Sequence, residues 1–146
     1  MKQPLEIRCV TEPLDDYVEA VRRLLGQLTT RPIAFGKTEL EQLLADESSR
    51  LYVACLEGTI VGMATIGTYL CPTGRKFWLE DVVVDEAYRG RGVARAFLET
   101  VVDGLHLSGT EKLYLTSNPS RVAANRLYQS MGFQSKITNV YYKTPE

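Results

Sequence analysis

The chain of 146 residues reads as one mixed α/β domain, with hairpins in its first half and a strand–helix–strand–helix order in its second. Three observations predict this. Val18, Val21, Leu24, Leu25 and Leu28 recur at helical spacing. Two apolar runs, Leu51–Cys55 and Ile60–Thr65, flank Glu57-Gly58, which is a hairpin pattern. Further on, Val82-Val83-Val84 closes a strand-like segment, and a polar glycine loop leads from it into a helical pattern with Val93, Phe97, Val101 and Leu105 on one face.

In chain order, Leu5 to Val10 is an expected first strand. Asp15 or Asp16 is the expected cap of a helix running to Leu28, broken by Thr29-Thr30-Arg31-Pro32. A short helix from Thr38 to Leu44, with Thr38 as its cap, comes before the hairpin. Pro72-Thr73-Gly74 marks a turn, and Phe77 to Val84 is a long strand with both faces covered at its end. After the glycine loop and its helix, Lys112 to Thr116 is a short strand. Asn118-Pro119 is an N-cap and first-turn pair for a helix through Met131, closed by Gly132. Phe133 and Asn139 to Lys143 are expected to form a terminal strand pair.

Composition limits the function. Hydrophobic residues make up 45% and charged residues 24%, as in an ordinary globular protein. Lys+Arg number 17 and Asp+Glu 18, so the net charge of −1 shows no basic surplus for coating nucleic acid. No membrane span or secretory leader is expected, which favours a cytoplasmic protein with no nucleic-acid or membrane partner. Cys9, Cys55 and Cys71 are odd in number and include no CxxC pair, and His106 is the single histidine. No metal site or disulfide framework is expected.

The chemistry concentrates at Val82-Val83-Val84, the loop to Gly90-Arg91-Gly92, and Val93-Ala94-Arg95. A helix start leaves backbone N–H groups open and favours an anion, glycines allow close approach, and Arg89, Arg91 and Arg95 add positive charge. A Walker A loop is excluded because Val93 follows Gly92 where Lys is required. A dinucleotide fingerprint counted from Gly90 needs Gly or Ala where Arg95 stands, and Thr116-Ser117 occupy the place of its acidic ribose partner.

The pattern that fits is Q/R-x-x-G-x-G/A, here Arg89-Gly90-Arg91-Gly92-Val93-Ala94. With it the chain resembles the GNAT superfamily of acetyl-CoA-dependent N-acetyltransferases. A second block, Leu113 to Arg121 followed by Ala124-Asn125-Arg126-Leu127-Tyr128 and Gly132-Phe133, resembles that superfamily's second signature. The two blocks together cover about residues 76 to 133. The resemblance implies a mixed, twisted, mostly antiparallel sheet with splayed central strands flanked by helices, the acyl-CoA N-acyltransferase fold. It implies one acetyltransferase domain over residues 1–146, with acetyl-CoA as co-substrate and no metal. The expected cofactor contacts are Val82, Val83, Val84, Arg89, Gly90, Arg91, Gly92, Val93, Ala94, Arg95, Asn118, Arg121, Asn125 and Tyr128.

Transfer requires a neutral amine, whose ammonium has a pKa of about 10, to attack the thioester directly in a ternary complex. Glu80 is the expected base, placed by strand alternation on the face of Val82 and Val84, with Asp81 opposite and second in rank. Tyr128 is the expected proton donor to the leaving thiolate by motif position, on a stripe with Arg121 and Asn125 facing the cleft, while Ala124, Leu127 and Met131 face the core. A backbone N–H of Val82 to Val84 would hold the carbonyl oxygen. Phe35, Trp78, Glu80 and Asp81 are the expected acceptor contacts, with Thr29 to Gly36, Arg75, Lys76, Tyr141 and Tyr142 as further walls. The expected acceptor is a small-molecule primary amine. The alternatives are a protein N-terminus or lysine, or a non-catalytic acyl-CoA sensor. Dimers are common in the superfamily, so a homodimer is a further expectation.

Overall fold

The computed structural model describes residues 4–145. They fall into two compact units that divide between Thr116 and Ser117. The first unit holds a five-stranded sheet in the order β1-β2-β3-β4-β5. Its strands are β1 (Glu6–Cys9), β2 (Ser49–Leu56), β3 (Thr59–Cys71), β4 (Gly74–Val84) and β5 (Leu113–Tyr114). The β1–β4 pairings are antiparallel, and β5 joins β4 in parallel. Glu57 and Gly58 form the expected hairpin turn, both at positive φ (54° and 78°), the backbone that matches the twist of a tight hairpin. Pro72 and Thr73 turn β3 into β4.

One sheet face is covered by α1 (Asp15–Leu28) and α2 (Lys37–Ala45). Val18, Val21 and Leu24 of α1 and Leu40 of α2 pack there with Leu51, Val53, Met63 and Val83. Asp15 and Asp16 lie inside the first turn of α1, and the N-cap is Leu14 with no side-chain cap. Their carboxylates act on the positive end of the helix without marking its boundary. Thr38 is likewise inside α2. Gly36 is the N-cap, and its N–H donates to Glu39 Oε1 at 2.9 Å. On the other face lies α3 (Val93–Asp103), which buries Val93, Phe97, Leu98 and Val101. Phe97 comes so close to β3 that a Cβ on Gly62 would stand 3.5 Å from it and 3.2 Å from the Val83 carbonyl. Leu105, expected on this helix, lies beyond its end and is only half-buried.

The second unit contains α4 (Val122–Ser130). The helix starts later than Asn118-Pro119 suggests. Asn118 Oδ1 accepts from Ser120 N at 2.9 Å, and its carbonyl accepts from Arg121 N at 3.0 Å. That side-chain turn consumes the residues ahead of the helix, a known competitor of helical backbone. The C-terminus is closed as expected by Gly132, at φ 96°. Gly132 N donates to Gln129 O at 3.1 Å and Phe133 N to Tyr128 O at 3.0 Å, which is a Schellman motif. Its apolar contact is the edge-on pair of Tyr128 and Phe133, with ring centroids 5.9 Å apart. Phe133 is thus used to end a helix and does not begin a strand. No strand follows among the described residues, and Val140, Tyr141 and Tyr142 are exposed with no ladder to join.

Candidate active site

The site grows from the end of β4. β5 pairs with β4 only at Phe77 and Trp78, so from Leu79 to Val84 the β4 edge has no β5 register. Within the same stretch β4 bulges. Met63 pairs with Val83 and Thr65 with Glu80, leaving Asp81 and Val82 opposite Ala64 alone. Asp81 takes φ 50°, a left-handed backbone uncommon outside glycine. The extra residue reverses the alternation beyond it. Glu80 therefore shares the face of Val83 and Met63, and Val84 lies on the opposite face. This corrects the expected grouping of Glu80 with Val82 and Val84. Strict alternation fails where two residues face one.

Glu80 lines an open pocket of about 400 Å3 with Gly67, Tyr69 and Trp78. Partial burial, then the adjacent Asp81 carboxylate, raises its pKa above the ordinary glutamate range. Trp78 stacks on Tyr114 of β5, with ring centroids 5.1 Å apart, and its Nε1 donates to Tyr69 Oη at 3.2 Å. Phe35 packs, half-buried, against the core under α1 and α2. Arg75 donates to Thr68 Oγ1 at 3.2 Å.

Beyond Val84 the loop is tied to α1 by residues the sequence reading passed over. Asp85 is buried, pairs with Arg23, and accepts from Ala87 N at 3.0 Å, capping a 3-10 turn over Glu86–Tyr88. Arg23 also donates to the Ile60 carbonyl at 2.7 Å, and Gln27 accepts from Glu86 N at 2.9 Å. Arg23 and Gln27 sit one helical turn apart on α1 and so reach the same loop. Arg89 folds back and its Nε donates to the Val84 carbonyl at 3.1 Å. Arg91 lies over the Tyr88 ring at 5.3 Å, and Arg95 pairs with Glu99 at 3.1 Å.

Gly90 (φ 77°) and Gly92 (φ 76°) then turn the chain into α3. A Cβ on either would meet nothing within 4 Å, so their value lies in backbone conformation and open space. Gly92 is the N-cap, and among the described residues no side chain caps α3, so the first-turn amides at Val93 and Ala94 are left without a side-chain cap.

In the second unit, Asn125 spends its amide on the Asn118 and Arg121 carbonyls, at 2.9 and 2.8 Å. Tyr128 is the most buried residue of α4. The expected core residues Ala124, Leu127 and Met131 are only half-buried, so the expected division of faces is shifted toward Tyr128. Burial raises the Tyr128 phenol pKa above the usual tyrosine range, and Arg121 acts against that shift. Among the described residues no cluster of His, Cys, Asp or Glu is arranged to hold a metal ion, and no helix is long and apolar enough to cross a membrane.

A bulged strand that loses its neighbour is followed here by a glycine loop and a helix start, a junction of the kind that suits an anionic group. Comparison with known proteins specifies the class. The acetyltransferase (GNAT) family pattern matches residues 18–133, and the chain belongs to that family of transferases that acylate amines. It is 31% identical over 116 residues to an aminoglycoside N(6')-acetyltransferase type 1 of Stenotrophomonas maltophilia, covering 73% of this chain and 74% of that protein. It is 38% identical over 69 residues to the [ribosomal protein bS18]-alanine N-acetyltransferase of Escherichia coli strain K12, where the match spans about half, 47%, of each chain. In three dimensions it resembles the aminoglycoside N-acetyltransferase AAC(6')-Iy in complex with CoA, with a TM-score of 0.77 and 20% identity over 99% of this chain and 97% of that one. The mixed sheet flanked by helices is thus the acyl-CoA N-acyltransferase fold.

Proposed function

We propose that the protein transfers an acetyl group from acetyl-CoA to the primary amine of a small molecule. The observation that carries this reading is the junction of the partnerless β4 edge with the uncapped start of α3. The residues present fit a diphosphate-bearing acyl donor. Open amides at Val93 and Ala94 and the space over Gly90 and Gly92 suit a phosphate, with Arg91 beside it. The relative solved in complex with CoA supports the same choice.

Acetyl-CoA supplies the thioester when bound. Glu80 takes the proton from the attacking ammonium, and its raised pKa brings it closer to the working pH of a base. Backbone N–H groups of Val82 to Val84 donate to the carbonyl oxygen as charge develops there. The amine nitrogen bonds to the carbonyl carbon as the carbon–sulfur bond breaks. Tyr128, whose phenol holds its proton throughout the neutral range, gives that proton to the sulfur; the acylated nitrogen then sheds its second proton, which restores the phenol, and Glu80 releases its own proton to solvent. Asp81 sets the bulge, and Trp78 bounds the acceptor. A small-molecule acceptor is favoured over a protein amine because Glu80 opens into an aromatic-lined pocket.

The test is a panel of primary amines and peptides with acetyl-CoA, reading released free thiol. Small amines should release CoA thiol in step with acetylated product. Release with peptides alone would move the acceptor to protein, and binding of acetyl-CoA without release to any amine would leave a sensor.

A further inference from the structure

The pocket beside Glu80 exists because one side chain is missing. Gly67 sits in β3 directly opposite Trp78 and between the register positions of Thr65 and Tyr69. These positions continue the face that α1 and α2 cover farther in at Met63 and Val83. Outside that cover the face carries Tyr69, Trp78 and Tyr114 across three neighbouring strands, with the Glu80 carboxylate next along β4. The backbone at Gly67 is not left-handed, and a Cβ there would meet nothing within 4 Å. No turn or close approach therefore requires glycine. Its effect is the space it leaves against the indole.

Trp78 is held firmly for a surface residue. Tyr114 stacks on it, and Tyr69 accepts its N–H. The fixed aromatic surface offers a flat apolar wall of ring size, and a carboxylate two residues along the strand fixes where an ammonium goes. The open hollow of about 400 Å3 is wide enough to seat a ring against the aromatic wall, while a linear chain would leave the wall uncovered.

Resting on the acetyltransferase reading above, we propose that Gly67 selects the acceptor. It admits primary amines carried on a six-membered ring with a flat apolar face, which lies on Trp78 and Tyr69 while the ammonium meets Glu80. An aromatic amine-bearing ring and an aminosugar share this chemistry, and the two arms of the test separate them.

The experiment compares kcat/KM for a phenyl-bearing alkylamine, an aminosugar and a linear alkylamine at saturating acetyl-CoA. It uses the native protein, Gly67→Ala and Gly67→Leu. Native protein should prefer at least one ring amine over the linear amine by about tenfold or more. A misfit of a single methylene in an apolar pocket is worth about 10- to 200-fold in kcat/KM, so Gly67→Leu should lose that preference, with Gly67→Ala intermediate. The KM for acetyl-CoA should stay within about twofold, and the linear amine should lose several-fold less than the ring amines, since it does not need the aromatic wall. The graded alanine variant keeps the test readable if the leucine variant folds poorly. No ring preference, or an equal loss for all amines, overturns the selector role while the acetyltransferase reading stands. If no amine is acetylated although acetyl-CoA binds, that reading falls and the selector falls with it.

Discussion

In the proposed reaction Glu80 is a base that the fold holds at a cost to stability. Its folded pKa is raised, by partial burial first and by Asp81 second. A carboxyl group of raised pKa loses native-state stability as pH climbs through the interval above its unfolded value, about 4.3. Glu80→Gln should therefore melt at or above the native temperature at pH 7, and the difference should vanish below about pH 4. Activity moves the other way. The variant should lose most turnover at lower working pH, where the acceptor is ammonium, and approach native turnover near the amine pKa of about 10. A parallel pH–rate profile for the two proteins would assign Glu80 to structure. Tyr128 makes the complementary case. Tyr128→Phe keeps the ring that packs on Phe133, so the melting temperature should hardly move. Proton donation is worth about 10²–10⁴ in rate, and a thiolate leaves readily, so kcat should fall about 10² with the acetyl-CoA KM unchanged. Undiminished kcat would mean that the sulfur needs no proton from this residue.

At the scale of elements, the loop that presents the glycines is held by α1 through Arg23, Gln27 and Asp85. Arg23→Met leaves Asp85, a buried carboxylate, without its cation. Stability should fall by about 1–3 kcal/mol, measured by urea unfolding. The acetyl-CoA KM should rise several-fold while kcat, for the molecules that bind, changes little. A drop in stability with an unchanged KM would confine Arg23 to the fold. This tie was hard to read in the sequence because Arg23 and Gln27 look like ordinary solvent-facing residues of an amphipathic helix. Local signals fared better. The 57–58 turn and the Gly132 cap were legible because each needs a particular backbone at a particular residue. The capping roles of Asp15, Thr38 and Asn118 were misplaced because a capping residue type looks the same in sequence whether it lies inside the first turn, as Asp15 and Thr38 do, or ahead of the cap, as Asn118 does.

For the whole molecule, the strand and helix order of the first unit followed from hydrophobic period. The bulge at Asp81 did not, because nothing in Leu79-Glu80-Asp81-Val82 announces an extra residue until the partner strand is in register. That single insertion decides which face Glu80 joins, so the strand–loop–helix motif was legible while the face that Glu80 presents was not. Gly67 was passed over for a similar reason: a glycine within a strand is a vacancy only once Trp78 stands across from it. The terminal strand pair failed because a β pattern needs a neighbouring edge, and residues 139–143 join no ladder.

In the proposed function the amides at the start of α3 hold the diphosphate of the acyl donor. Calorimetric titration of CoA into native protein, Gly92→Ala and Gly92→Asp tests this directly. Both variants place a side chain at φ 76°, a backbone that Asp tolerates better than Ala, so strain alone would favour Gly92→Asp, and only that variant adds a negative charge at the helix start. Native protein should bind in the micromolar range. Gly92→Ala should bind somewhat more weakly, and Gly92→Asp at least about tenfold more weakly than Gly92→Ala. Equal CoA affinity in the two folded variants would contradict a diphosphate at this helix start.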